Sequence, residues 1–200
     1  MTNKKGQVIV ITGPSGVGKG TILKSVMEND SSLCFSVSAT TRGPRPGEVD
    51  GKDYYFVSRQ RFDEMVAEGE LLEHAEYSGN CYGTPRKPLE KLLDEGYDVI
   101  LDIEIQGARN VMKSYPEAIF TFIMPPDFET LEKRLAKRGT ETPEKVALRL
   151  ETARRELECY KEFQYIIVND KLEDAVAELQ AVITAGRCRC SEYIKNKRGI

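Results

Sequence analysis

Short apolar runs alternate with amphipathic stretches along this chain, the rhythm of a parallel β-sheet joined by crossover helices. The runs "QVIVIT" (7–12), "DVILDI" (98–103), "IFTFIM" (119–124) and "YIIV" (165–168) predict four strands. Beyond their first residues they are almost continuously hydrophobic, as expected when helices cover both sheet faces. Ile22, Leu23, Val26 and Met27 recur at helical spacing after the first run, and Leu172, Ala175, Val176, Leu179, Val182 and Ile183 do so near the end. Both stripes predict core-facing helices.

Two stretches break this rhythm. Residues 36–57, "SVSATTRGPRPGEVDGKDYYFV", are polar, aromatic and rich in Gly and Pro, which predicts strands and loops outside the main sheet. Residues 128–161 predict charged helices interrupted near Gly139 and Pro143. Both read as appendages on an α/β core, and the chain shows neither internal repeats nor a low-complexity linker.

Composition adds limits. Two hundred residues suit one domain with a sizeable core. The 29 basic and 32 acidic residues leave no overall positive field for a nucleic-acid polymer, so any anion site must be built locally. The early apolar run, Val8 to Ile11, is four residues long and reads as neither a signal peptide nor a membrane span. Five cysteines, at 34, 81, 159, 188 and 190, lack a zinc-cage spacing and read as reduced thiols of a cytoplasmic protein.

The chemistry begins at "ITGPSGVGKGTIL". Gly13, Gly16 and Gly18 let main-chain N–H groups approach phosphate oxygens, Lys19 adds a full charge, and a helix opening there adds its positive end. Its place between a strand and an amphipathic helix turns the pattern GxxxxGK[ST] into a candidate site. The hydroxyl, however, comes one place late: Gly20 follows Lys19, and Thr21 follows Gly20. That spacing weakens a general ATPase or GTPase reading and is common in nucleoside monophosphate kinases, whose "GKGT" this loop resembles. Asp102, at the end of "VILD", with Glu104 two residues on, can place carboxylates at a strand's carboxyl end to hold Mg²⁺ or its waters. Arg42 and Arg45 in "TTRGPR" can converge on a second phosphate, with Tyr54 and Tyr82 as hydroxyl donors.

"FSVSATTRGPRPGEVDGKDYYFV", "GELLEHAEYSGNCYGTP", "ILDIEIQGA", "KRLAKRGTET" and "IIVND" together resemble guanylate kinase, in order, from Gly6 to about Ile183. The resemblance implies a phosphate-loop NTPase-type parallel sheet with helices on both faces. It further implies a single 1–200 domain in three parts: a core of about 1–36, 87–126 and 162–200, a GMP-binding subdomain of about 37–86, and a helical lid of about 127–161. The implied reaction is ATP + GMP to ADP + GDP, with Mg²⁺ and with dGMP as a further acceptor.

Carried over by position, the resemblance assigns Gly13, Pro14, Ser15, Gly16, Val17, Gly18, Lys19, Gly20 and Thr21 to ATP, with Asn169 beside the adenine. Arg42, Arg45, Tyr54 and Tyr82 go to the GMP phosphate, and Ser38, Glu73 and Thr84 to the base. Asp102 and Glu104 complete the acceptor side, and Thr21 and Asp102 meet the metal through water. Arg134, Arg138 and Arg149 become lid arginines that act with Lys19 and Arg42 in catalysis. Glu73 has a chemical reason of its own: guanine offers two adjacent donors to one carboxylate, whereas adenine puts an acceptor there. A site built on that hydrogen bonding can reject the wrong base on the order of 10⁴-fold.

Three rivals remain. A guanylate-kinase-like binding module would keep the fold but lose enzymatic residues, which this chain retains. A GTPase switch would need N/T-K-x-D, and "NKRG" (196–199) lacks the Asp. An adenylate kinase would share "GKGT" but gives no reason for "SATTRGPR" or Glu73. The expected partners are small nucleotides acting on a monomer or homo-oligomer, with no membrane; His74, the single histidine, receives no catalytic role.

Overall fold

The computed structural model of the chain describes residues 5–77, 79–136 and 143–189. In order, these form β1 (Val8–Thr12), α1 (Lys19–Asn29), β2 (Leu33–Phe35), β3 (Ala39–Thr40), β4 (Tyr55–Phe56), α2 (Arg59–Ala67), β5 (Leu71–Tyr77) and β6 (Asn80–Pro85). There follow α3 (Arg86–Asp94), β7 (Asp98–Asp102), α4 (Ile105–Ser114), β8 (Ile119–Met124), α5 (Phe128–Ala136), α6 (Pro143–Leu157), a 3₁₀ turn (Glu158–Glu162), β9 (Tyr165–Val168) and α7 (Leu172–Arg187).

The main sheet is parallel, in the order β2-β7-β1-β8-β9. Strand β1 shows why its sequence is uniformly apolar. Val8 and Val10 enter one core with Leu89, Leu101 and Phe120, while Ile9 and Ile11 enter the other with Ile22, Leu23 and Leu179. Alternate residues thus face opposite layers, and each fully buried side chain contributes about 1.5–3 kcal/mol of transfer free energy. The α1 stripe is buried at Ile22, Leu23 and Val26, and the α7 stripe at Ala175, Leu179 and Ile183.

Three features depart from the sequence reading. Strand β9 is not covered on both faces: Ile166 and Val168 are 44% and 45% exposed, because β9 is an edge strand whose alternate side chains face outward. Strand β2 joins the main sheet although nothing in its three residues announces it, since only Leu33 is buried. Residues 36–57 do leave the main sheet, but the second sheet they enter, β4-β3-β6-β5, is built mostly from the later hairpin β5–β6. Its own small core comprises Ala39, Phe62, Met65, Leu71 and Cys81.

Strand order reverses around β1, which pairs with β7 on one side and β8 on the other. The register sets Ile11 beside Asp102, so the loop after β1 and the acids after β7 emerge together at the strands' carboxyl ends. Cys34, Cys81, Cys159 and Cys188 are free thiols; Cys190 lies outside the described residues. Among the described residues no helix is long and apolar enough to cross a membrane.

Candidate active site

The loop after β1 is moulded by close main-chain approaches. Gly13 has φ +149°, and a Cβ there would stand 2.3 Å from the Ile123 carbonyl oxygen of β8. Gly18 has φ +97°, and its Cβ would meet Asn169 Nδ2 at 2.4 Å. Both positions therefore require glycine. Val17 is fully buried and anchors the loop between them. Its carbonyl accepts from Asn169 Nδ2 at 2.7 Å and from Arg134 at 3.3 Å, while Arg134 also donates to the Asn169 carbonyl at 3.0 Å. Asn169 and Arg134 thus brace the loop. Lys19, the first residue of α1, folds back so that Nζ donates to the Gly13 carbonyl at 2.7 Å. Gly20 and Thr21 lie exposed in the opening turn of α1, and a Cβ on Gly20 would meet nothing within 4 Å.

Helix α6 reaches the same loop at Ser15. Arg149 donates to Ser15 Oγ at 2.6 Å, and the Glu156 carboxylate lies close by. Asp102, Glu104 and Glu156 surround Lys19 electrostatically. Burial raises the pKa of all three, and the nearby ammonium partly offsets the rise. The Asp102 side chain still touches water, because it lies in an open concavity where protein surrounds it without sealing it. Arg138 lies outside the described residues.

Across the cleft, side chains hold other side chains. The Arg42 guanidinium makes a two-pronged contact with Glu48, at 2.9 and 2.8 Å, and stands over the Tyr54 ring with its central carbon 5.2 Å from the centroid. Glu48 also accepts the Arg45 main-chain N–H at 2.7 Å. Tyr54 and Tyr82 meet edge to face at 6.2 Å. Glu73, on β5, is 6% exposed and accepts from Thr84 Oγ1 at 2.8 Å. Burial pushes its carboxyl up to about 7, against the opposing pull of the Thr84 hydrogen bonds. Thr84 is fully buried and reaches the cleft only through Glu73.

One cavity of about 520 Å³ joins these groups, a volume that suits a small-molecule ligand. Ser15 and Arg149 line it together with Asp102 and Glu104. Ser38, Arg42, Arg45, Tyr54, Tyr82 and Glu73 line the same space. Sequence reasoning missed Glu48, Glu156 and Gly107. Glu48 sits three residues after Arg45 in a Gly/Pro-rich loop, where nothing marks an acid as a partner rather than a solvated charge. Glu156 is one acid among many in α6. Gly107 had a usable signal, since glycine weakens the first turn of a helix that could carry alanine.

A glycine loop that reaches the cavity at Ser15, with Lys19 behind the lining, and an arginine-lined pocket on the same space are parts suited to passing a phosphoryl group between two nucleotides, the arrangement of the phosphate-loop phosphotransferases. Comparison with known proteins narrows that class. The family model described as guanylate kinase matches residues 5–186, and the chain belongs to the guanylate kinase family. A guanylate kinase of Clostridium perfringens (strain SM101 / Type A) is 47% identical over 194 residues, spanning 97% of this chain and 90% of its own length. One from Thermus thermophilus is 50% identical over 189 residues, spanning 94% and 84%. The crystal structure of guanylate kinase from Anaplasma phagocytophilum superposes with a TM-score of 0.77 at 35% identity, covering 96% of this chain and 92% of that one.

Proposed function

We infer that this protein transfers the terminal phosphate of ATP to GMP, giving ADP and GDP, and accepts dGMP in the same pocket. The observation that carries the reading is the joining, in one cavity, of the Ser15 and Arg149 side of the phosphate loop with Arg42, Tyr54, Tyr82 and the buried Glu73.

The acceptor phosphate is already an anionic nucleophile, so neither a covalent intermediate nor a strong base is needed. Arg42 and Arg45, with the two tyrosine hydroxyls, orient it. Ser38 and Glu73, with Thr84 behind it, select the base, and Asp102 and Glu104 complete the acceptor side. Lys19 leaves the Gly13 carbonyl to meet the donor phosphates, which the loop residues from Gly13 to Thr21 cradle. Arg134, Arg138 and Arg149 exclude water and oppose the charge of the transferring group. The lid they belong to is residues of about 127–161, closing over a core and a GMP-binding subdomain of about 37–86.

Mg²⁺ fits the residues present. Asp102, Glu104 and Thr21 are hard oxygen donors, and the crowding of both carboxylates by protein beside Lys19 favours added positive charge. Among the described residues no three His, Cys, Asp or Glu side chains are placed to hold a metal ion. Thr21 and Asp102 would therefore hold it jointly with phosphate oxygens and water. When bound, it supplies charge neutralisation to the phosphates. Free thiols suit a cytoplasmic setting.

The test is ADP release from ATP with GMP, dGMP, AMP, CMP and UMP offered in turn. GMP and dGMP should be the working acceptors; activity with AMP but not GMP would overturn the reading.

A further inference from the structure

Residues 107, 110 and 114 of α4 recur at i, i+3 and i+7 and so share one helix face, which lies against β5. From that face Asn110 Nδ2 donates to the His74 carbonyl at 2.8 Å. Ser114 Oγ shares its proton between the Leu72 carbonyl at 3.2 Å and the Asn110 carbonyl of its own helix at 3.1 Å. The two β5 carbonyls bracket Glu73 in sequence, so α4 is fastened to the strand on either side of the base-reading acid.

The remaining position on that face, Gly107, confronts the carboxylate. A Cβ built there would stand 2.8 Å from Glu73 Oε2 and 3.4 Å from Cδ. Such a contact is tighter than van der Waals packing allows, so something must shift. The backbone of α4 is fastened by Asn110 and Ser114, while the other carboxylate oxygen, Oε1, is fixed by Thr84 at 2.8 Å. What gives way is Oε2, one of the two atoms that must reach the base. Gly107 also lines the cavity, so no other side chain lies between it and the ligand space.

We propose that Gly107 is a specificity-determining position: the missing side chain, held in register by Asn110 and Ser114, seats the Glu73 carboxylate so that both oxygens meet a purine carrying adjacent N1–H and 2-amino donors. This rests on the GMP reading above and deepens it. A methyl group at 107 leaves one of the two hydrogen bonds unmade. The acceptor that suffers most is the one bearing both donors. Inosine monophosphate, which keeps N1–H but lacks the 2-amino group, has less to lose.

The experiment is steady-state kinetics of wild type and Gly107→Ala with GMP and with inosine monophosphate. The variant should lower the GMP-to-inosine-monophosphate ratio of kcat/KM by about tenfold, mostly through KM for GMP, while KM for ATP stays within about twofold. Its thermal midpoint should hold or rise, since alanine favours the helix. Wild type that prefers AMP to GMP would overturn the functional reading itself. Wild type that prefers GMP, with a ratio unchanged in Gly107→Ala, would overturn this inference alone. In a Glu73→Ala background the same change should alter kcat/KM for GMP less than about twofold, and an equal loss in both backgrounds would show that Gly107 does not act through Glu73. Should Gly107→Ala lose thermal stability, Asn110→Ala decides: KM for GMP rising about threefold with KM for ATP unmoved supports the proposal, and KM for GMP unmoved defeats it.

Discussion

Around the loop after β1 the groups offered to the proposed donor phosphates are main-chain amides, shaped by Gly13 and Gly18 and braced through carbonyls by Asn169 and Arg134. Around Arg42 and Glu73, by contrast, each functional side chain is seated by another: Arg42 by Glu48 and the Tyr54 face, Glu73 by Thr84. A main-chain cradle reads charge and little else, which suits a triphosphate shared by many nucleotides. A side-chain scaffold fixes directions of individual donors and acceptors, which is what choosing one base requires. The two regions also rest differently. Arg149 occupies Ser15, and Lys19 lies on its own loop, so under the proposed reaction the donor side exchanges partners when a nucleotide arrives.

The contrast breaks most completely at Lys19. Lys19→Ala should lower kcat on the order of 10³-fold, because the full charge carried by the loop itself is gone. Turnover within tenfold of wild type would show that the amides suffice.

On the acceptor side, Glu73→Gln should lower kcat/KM for GMP about 10²-fold and leave KM for ATP nearly unchanged, since an amide presents a donor where guanine also has one. Equal losses for both substrates would erase the distinction between the regions. The same residue sets a pH dependence. With the carboxyl pushed up to about 7, GMP binding needs the ionised form, so kcat/KM for GMP should fall about tenfold per pH unit below that point. Stability runs the other way. Between the ordinary carboxyl value of 4.5 and about 7 the folded protein holds a proton that the unfolded chain has lost. Glu73 should therefore make substrate-free stability fall as pH rises through that window and level off above it, a contribution to the slope that Glu73→Gln removes. Thermal midpoints from pH 5 to 8 for both proteins check this.

How far these regions could be read in advance follows the same division. Strands β1, β7 and β8 are buried on both faces, so their apolar runs announce them, and the loop between β1 and α1 carries a spacing that suits phosphate binding. Glu73 was unreadable from its surroundings. It lies in "LLEHAEY", a strand whose alternation is spoiled by a register shift between Leu71 and Glu73, and its burial comes from α4 and Thr84, distant in sequence. Only the family resemblance selected it. Glu48 was invisible for a related reason: its role exists in a two-pronged contact, and its spacing from Arg42 belongs to no periodic element. Edge strand β9 misled because Ile166 and Val168 read as core although they face outward.

Glu48→Gln sharpens the acceptor side with a smaller effect. Arg42 and Glu48 are only 14% and 19% exposed at their side chains, so the pair is partly shielded from water, and removing its charge loosens the guanidinium rather than deleting it. KM for GMP should rise about tenfold with kcat changed less than threefold. An unchanged KM would mean that Arg42 is placed by Tyr54 and the main chain alone.

The smallest effect belongs to Gly20, the residue that displaces the hydroxyl in "GKGT". Unlike Gly13 and Gly18, it has helical geometry and open space around its Cα, so the ligand-free fold gives no reason for glycine there. Gly20→Ser should raise stability by roughly 0.5 kcal/mol through better helix propensity and change kcat/KM for ATP less than about threefold. A main-chain cradle tolerates that exchange, because the amide at position 20 survives it. A loss beyond about tenfold would mean that bound nucleotide fills the open space, so that even the donor side depends on a side chain being absent.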